Sequence, residues 1–244
     1  MYALSQAYIP CELQGTYAQF ALVKEEWLAA APTSLSLADA AAVPLVALTA
    51  LQALERAAPQ PGQRLLVTGA SGGVGHVAVQ LAKCLFTGLH VTAACSSRHA
   101  AWMSELGADA VFDYTAGPDA LVAAFGASDT VKFDIVLDVV GGALLDAAVR
   151  HCVKAGGFVS EVLNRGTDSD AAARYAAAAA DGSGPKYEAT LVAPSGAQLA
   201  RLAALIDAGK LNVKVAQTLP LEQAGRAHDI VIDGHAGGKV VLTM

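Results

Sequence analysis

The stretch Leu65–Lys83, LLVTGASGGVGHVAVQLAK, constrains this chain more than any other. A short apolar run enters a turn holding Gly69, Gly72, Gly73 and Gly75, and an apolar-periodic segment leaves it. A strand feeding a glycine-rich turn that opens a helix aims free backbone N–H groups and the positive end of a helix dipole at one point. That arrangement holds a phosphate. Glycine is needed where a Cβ would block a pyrophosphate or the helix–sheet contact, which fits Gly72, Gly73 and Gly75. A glycine pattern alone says little; a strand before it, a helix after it and a second strand about 20 residues on make it specific.

The same alternation continues along the chain. β-Branched runs recur at 64–68, 90–94, 110–112, 133–138 and 157–162, separated by helical patterns. In SRHAAWMSELG, Ser97 is a candidate N-cap and Gly107 a candidate C-terminal stop, and GALLDAAVRHCVKAGG is expected to end on glycine in the same way. Nearly continuous apolar strands, each followed by a helix, mean a parallel sheet covered on both faces, an α/β doubly wound Rossmann domain. The flanks differ. Residues 1–30 read as strands and turns, a Pro-bounded segment leads into a helix with Pro44 in its first turn, and the tail from Val213 reads strand, helix, strand. Residues 170–184 are low in complexity and read as a weak helix or a surface loop.

Bulk properties narrow the classes. The 244 residues suffice for a substantial core, and 54% hydrophobic with only 6% aromatic residues suits an Ala- and Val-rich α/β protein. A net charge of −6 with no Lys/Arg cluster argues against nucleic-acid binding. The most apolar window, residues 40–51, is too short to span a membrane and contains Pro44. The N-terminus lacks a basic start followed by an apolar core, so no targeting segment is expected. Cys11, Cys84, Cys95 and Cys152 are scattered without a Cys-x-x-Cys pair. That fits reduced thiols and a cytoplasmic setting.

The end of the second strand bears on the nucleotide. A site for NAD places an acid there for the ribose 2′-hydroxyl, whereas this chain reads Cys95-Ser96-Ser97-Arg98. Two hydroxyls and a guanidinium suit a 2′-phosphate, so NADPH is the expected cofactor. The blander reading is that Ser97 only caps the helix and Arg98 is solvated, and the two roles are compatible.

Two family patterns fit the turn locally. A short-chain dehydrogenase would start close to its glycine turn and carry Tyr-x-x-x-Lys, but none of the six tyrosines here has a lysine four positions on. The segments GTYAQFALV, LSLADAAAVPLVALTALQAL, PGQRLLVTGASGGVGHVAVQLAK, VTAACS, LGADAVFDY, FDIVLDVVGG, GAQLARLAALIDAGKLNV and LPLEQAGRAHDIVIDGHAGGKVVL occur in that order. From Gly15 to the C-terminus the chain thereby resembles the zinc-independent medium-chain dehydrogenase/reductases. Within them it looks most like the quinone oxidoreductases and the reticulon-4-interacting-protein-like NADPH oxidoreductases. The resemblance implies that Thr49 lies at the nicotinamide end of the cleft. Ser71, Gly72, Gly73 and Val74 would hold the pyrophosphate, Ser96 and Arg98 the 2′-phosphate region, and Tyr114 the adenosine side. Tyr114 reads equally well as a half-buried aromatic closing the third strand. Zinc members carry a cysteine ligand four positions before the threonine corresponding to Thr49. Leu45 stands there, so no metal is expected. His76, His228 and His235 form no ligand pair and read as ordinary surface or capping residues.

The resemblance further implies an N-terminally truncated member. Residues 1–44 and 191–244 would be the remnant of a GroES-like catalytic lobe, with 45–190 as the Rossmann domain. Strands left in such a remnant would have unpaired edges and an exposed inner face. The implied reaction is hydride transfer to a small-molecule quinone or α,β-unsaturated carbonyl, without a zinc ion or a side-chain nucleophile and with no catalytic acid identifiable. A homodimer through an edge strand is implied by the same resemblance. The competing readings are a weak or inactive NADPH-binding module, such as a redox sensor, and a gene-model fragment that folds poorly.

Overall fold

The computed structural model describes residues 1–3, 15–162, 169–180, 182, 184–234 and 236–244, with the side chains of 169–174 left aside. Cys11, His235 and the strand-and-turn reading of residues 4–14 fall outside the described residues.

Strand β1 (Tyr2–Ala3) pairs antiparallel with β2 (Leu28–Ala29). Helix α1 (Leu37–Ala41) follows, started by Ser36, whose hydroxyl accepts the Asp39 N–H. Helix α2 (Val43–Ala57) carries Pro44 at its second position, where a missing N–H costs nothing. The strands β3 (Arg64–Val67), β4 (His90–Cys95), β5 (Ala110–Asp113), β6 (Phe133–Asp138), β7 (Val153–Glu161) and β8 (Lys186–Ala189) build the main sheet. Between them lie α3 (Gly75–Leu85), α4 (Ala100–Glu105), α5 (Pro118–Phe125), α6 (Gly142–Ala147) and α7 (Ser169–Ala180). Then come α8 (Gly196–Asp207), β9 (Val215–Pro220), α9 (Ala224–Ile232) and β10 (Lys239–Thr243), with β9 and β10 parallel.

The chain divides into two compact units, Met1–Thr49 with Val192–Met244 and Ala50–Leu191. The second holds the six-stranded sheet, every neighbouring pair parallel, in the order β5-β4-β3-β6-β7-β8. That is the doubly wound order, with its switch point between β3 and β6. The apolar runs that predicted strands are buried here: Leu65, Leu66, Val67, Val91, Ala93 and Ala94 have no exposed surface. Beneath β6, Phe133 sits in a core with Leu121, Leu145 and Val159.

In the first unit, Tyr2 anchors the N-terminal strand by donating its hydroxyl to the Leu199 carbonyl at 2.6 Å. Asp207, at the end of α8, accepts from the backbone N–H and hydroxyl of both Thr33 and Ser34, at 2.7–3.1 Å. Gly196 permits close approach of α8 to the 25–29 segment, since a Cβ there would lie 2.3 Å from the Leu28 carbonyl. Both strand pairs of this unit contain only two strands among the described residues, and Phe20 (89% exposed), Leu22 and Tyr17 face outward.

Three local expectations are corrected. Ser97 caps no helix: it opens a 3-10 turn, Ser97–His99, and α4 begins only at Ala100 without a side-chain cap. The segment GALLDAAVRHCVKAGG does not stop on glycine. Helix α6 widens into a π turn over Ala148–Cys152, and β7 starts at Val153. Gly156 and Gly157 then lie in β7, where the pairing with β6 shifts register and a Cβ on Gly157 would sit 2.8 Å from the Asp134 carbonyl. His76 is not a surface residue but is buried on α3. The low-complexity segment forms α7 over most of its length. No helix among the described residues is long and apolar enough to cross a membrane.

Candidate nucleotide site at the carboxyl edge of the sheet

The sheet fixes where the predicted residues meet. Ser71–Val74 follow β3, Ser96–Arg98 follow β4 and Tyr114 follows β5, so all three groups lie at the carboxyl ends of adjacent strands. Ligands of open α/β sheets bind on that edge at the switch point. Thr49 belongs to the other unit: it is buried on α2, and its hydroxyl donates to the Leu45 carbonyl one turn back at 2.6 Å.

The turn is shaped by contacts that only glycine allows. Gly69 has φ +58°, and a Cβ there would lie 2.7 Å from the Val139 side chain. A Cβ on Gly75 would lie 2.3 Å from the Gly69 carbonyl and 2.6 Å from the Ala70 Cα. Helix α3 therefore starts directly against the end of β3, with Ser71, Gly72, Gly73 and Val74 half-exposed around its N-terminus. The Gly72 N–H turns back to the Gly69 carbonyl at 2.9 Å and the His76 N–H to the Gly72 carbonyl at 3.2 Å, so a diphosphate in this cradle would be met by the other N–H groups of the helix start, with no Cβ of Gly75 in the space behind them.

Two buried side chains that the sequence did not flag hold this turn. His76 brings Nδ1 within 2.7 Å of the Gly72 carbonyl, which makes Nδ1 the protonated nitrogen, since a carbonyl can only accept. Its ring packs against Trp102 with centroids 5.5 Å apart. Asp138, fully buried at the end of β6, accepts from the Thr68 hydroxyl at 2.5 Å and the Gly141 N–H at 2.7 Å. Thr68 in turn accepts the Val139 N–H at 3.2 Å, so one hydroxyl stitches the two strands flanking the switch point. Burial pushes the Asp138 carboxyl up, against the pull of those donors. Nothing in TGASGGVG or FDIVLD pairs Thr68 with Asp138; 70 residues separate them, and only the β3–β6 register brings them together.

At the β4 end, Ser96 is half-buried while Ser97 and Arg98 are exposed. Arg98 Nε lies 3.2 Å from His99 Nε2, and no acid pairs with the guanidinium in the same loop. An acid does approach from the neighbouring strand. Asp113 accepts the Ser97 N–H at 3.3 Å, as well as the N–H and hydroxyl of Thr115 at 2.9 and 2.7 Å. Those donors, Thr115 foremost, hold its carboxyl below the usual range, so it is anionic at neutral pH. The absence of a carboxylate read from residues 95–98 is thus true of that loop but not of the site. Desolvation, with Asp113 adding to it, raises the buried Cys95 thiol. Tyr114 lies just past the end of β5 and is 38% exposed. His228 is exposed and meets the Tyr17 hydroxyl at 3.0 Å. Among the described residues, no three His, Cys, Asp or Glu side chains come close enough to hold a metal ion.

A doubly wound sheet with a glycine-built helix start at its switch point defines a dinucleotide-binding α/β protein. Comparison with known proteins narrows that class. The zinc-binding dehydrogenase family matches residues 106–242. The mouse protein named NAD(P)H oxidoreductase RTN4IP1, mitochondrial, is 33% identical over 98% of this chain and 63% of its own length. The Arabidopsis thaliana chloroplast envelope quinone oxidoreductase homolog is 34% identical over 93% of this chain and 68% of its own. The solved structure of the quinone oxidoreductase from Coxiella burnetii superposes with a TM-score of 0.75 at 30% identity, covering 87% of this chain and 62% of that one. The chain belongs to the zinc-binding dehydrogenase family of the medium-chain dehydrogenase/reductases. It spans somewhat under two thirds of the length of the mouse relative and of the Coxiella structure.

Proposed function

We propose that the chain is an NADPH-dependent, zinc-independent oxidoreductase that passes a hydride to a quinone or an α,β-unsaturated carbonyl. The observation that carries this reading is the run of three adjacent strand ends at the switch point. There the half-exposed helix start at Ser71–Val74 is followed across the sheet edge by Ser96–Arg98 and Tyr114. In this reading the backbone of Ser71, Gly72, Gly73 and Val74 holds the pyrophosphate, Ser96, Ser97 and Arg98 the 2′-phosphate, and Tyr114 flanks the adenosine. Thr49 stands at the nicotinamide end, and His76 and the Thr68–Asp138 pair keep the turn in shape. When bound, the reduced nicotinamide supplies a hydride, and a proton from water completes reduction of the acceptor. Zinc independence is supported by Leu45, which has no donor atom where zinc members place a ligand. The first unit is read as the remnant of the GroES-like lobe.

Asp113 favours a second cofactor reading. Its carboxylate would repel a 2′-phosphate and would suit a ribose hydroxyl, which makes NADH the competitor. A homodimer is proposed through β8, which among the described residues pairs only with β7 and ends the sheet. A reducing, cytosol-like compartment is supported by the free thiols Cys84, Cys95 and Cys152.

The test is calorimetric titration with NADPH and NADH, followed by nicotinamide oxidation across a panel of quinones and enones. Binding with turnover of at least one acceptor supports the reading. Binding without turnover selects an inactive binding module, and absence of binding overturns both.

A further inference from the structure

The glycine turn and the loop after β4 are joined by a ladder of rings. His99 packs edge-on against Trp102 with centroids 6.0 Å apart, and Trp102 packs against His76 at 5.5 Å. At one end of the ladder His76 Nδ1 meets the Gly72 carbonyl in the glycine turn. At the other end His99 Nε2 takes the N–H of Arg98 Nε at 3.2 Å. A guanidinium only donates, so Nε2 is the accepting nitrogen and the neutral His99 ring carries its proton on Nδ1.

Chain spacing alone does not produce that bond. Side chains of adjacent residues on a helical turn diverge, so Arg98 has to fold back over its neighbour to make it. The backbone beneath is pinned: the Ser97 N–H donates to Asp113 at 3.3 Å and the His99 N–H to the Ser96 carbonyl at 2.9 Å. What stays adjustable is the long, exposed side chain of Arg98. Its bond through Nε leaves the four N–H groups of Nη1 and Nη2, which have no partner among the described residues, for an anion. Without the hold of His99, Arg98 has a competing partner on the next strand, the Asp113 carboxylate, which is anionic at neutral pH. Pairing there would withdraw the guanidinium from a 2′-phosphate.

We propose that His99 is a positioning residue for nucleotide selection: it holds Arg98 by Nε so that the terminal N–H groups meet a ribose 2′-phosphate instead of closing on Asp113. The inference rests on the NADPH reading, in which Arg98 binds that phosphate. The group selected is a phosphate monoester, which a planar guanidinium takes through two parallel hydrogen bonds when its plane is fixed. Trp102 fixes the plane of His99 in turn, so the ladder ties the selecting arginine to the helix that carries the glycine turn.

Two substitutions separate acceptance from packing. His99→Phe keeps a ring against Trp102 and loses the acceptor, whereas His99→Gln loses the ring and keeps an accepting oxygen. Calorimetric titration with NADPH and NADH at about pH 8, where an ordinary histidine is neutral, gives a ratio of Kd values within each variant. Such a ratio is insensitive to how much of that variant folds. His99→Phe is expected to lower the preference for NADPH about fivefold, the worth of one ordinary hydrogen bond, with the Kd for NADH unchanged. His99→Gln is expected to stay within about twofold of wild type. In an Arg98→Ala background His99→Phe adds less than about twofold, because His99 acts through Arg98. The pair 2′,5′-ADP and 5′-AMP, which differ only in the 2′-phosphate, repeats the measurement independently of hydride transfer. An equal loss in His99→Gln, a loss shared by NADPH and NADH, or a full His99→Phe effect without Arg98 overturns the inference. If wild type binds neither nucleotide, or Arg98→Ala leaves the ratio unchanged, the NADPH reading of this edge fails and the inference falls with it. A ratio that drops in Arg98→Ala but not in His99→Phe leaves that reading standing and overturns the inference alone.

Discussion

Thr68 shows how much one hydroxyl can carry. It is buried, donates to the buried carboxylate of Asp138 and accepts from Val139, so it serves both strands at the switch point. Thr68→Val keeps the shape and removes the donor, leaving Asp138 with backbone partners only. Urea unfolding is expected to report a loss of about 2 kcal/mol, the cost of leaving a buried polar group short of one hydrogen-bond partner. A midpoint equal to wild type would mean that Asp138 is held by the backbone alone. The β4 end supports a second prediction. Arg98→Ala is expected to lower the NADPH-over-NADH affinity ratio roughly tenfold, and Asp113→Asn to raise it, both read by calorimetric titration. An unchanged ratio in both would remove this edge from nucleotide selection. At this scale the sequence was partly legible. Gly72 and Gly75 announce themselves because glycine has few other uses at a strand-to-helix turn. Asp113 and His76 do not, because their partners lie on another strand or on the backbone.

Asp207 closes helix α8 onto the Pro-bounded segment by accepting four hydrogen bonds from Thr33 and Ser34. Those donors, the Ser34 N–H first, lower its pKa to about 2. The folded value lies below the unfolded value of roughly 3.9, so the stabilisation is fully present above about pH 4 and is lost as pH falls toward 2. Asp207→Ala is therefore expected to lower Tm at pH 7, with the gap to wild type closing between pH 4 and 2. A gap that stays constant down to pH 2 would show that the carboxylate's charge is not what matters. Elements were read well where one signal dominated. The run FDIVLD is apolar, and β6 spans Phe133–Asp138 as expected. Strand β7 begins four residues before its expected start because Val153–Gly156 carries no alternation; pairing with β6 alone extends it. Strand β8, KYEA, went unrecognised because an edge strand needs little apolar surface.

Across the whole molecule, the described chain forms two compact units, and a nucleotide held at the sheet edge belongs to the second. A ligand that binds only the folded form stabilises it by mass action. NADPH at about 100 times its Kd is thus expected to raise the unfolding free energy by about 2.7 kcal/mol. Urea titration with and without the nucleotide measures this, and an unmoved midpoint would count against nucleotide binding altogether. Taken alone, the sequence determined the class. The order of apolar strand and helical runs leaves a parallel sheet as the only way to bury them, and a glycine turn between strand and helix leaves a phosphate cradle as its natural use. The tertiary structure decided which side chains complete the site. Strand register set Thr68 beside Asp138 and Asp113 beside Ser97 across 70 and 16 residues of chain. Periodicity records which face of an element is buried, whereas electrostatics depends on what packs against that face, and only the assembled fold supplies that neighbour.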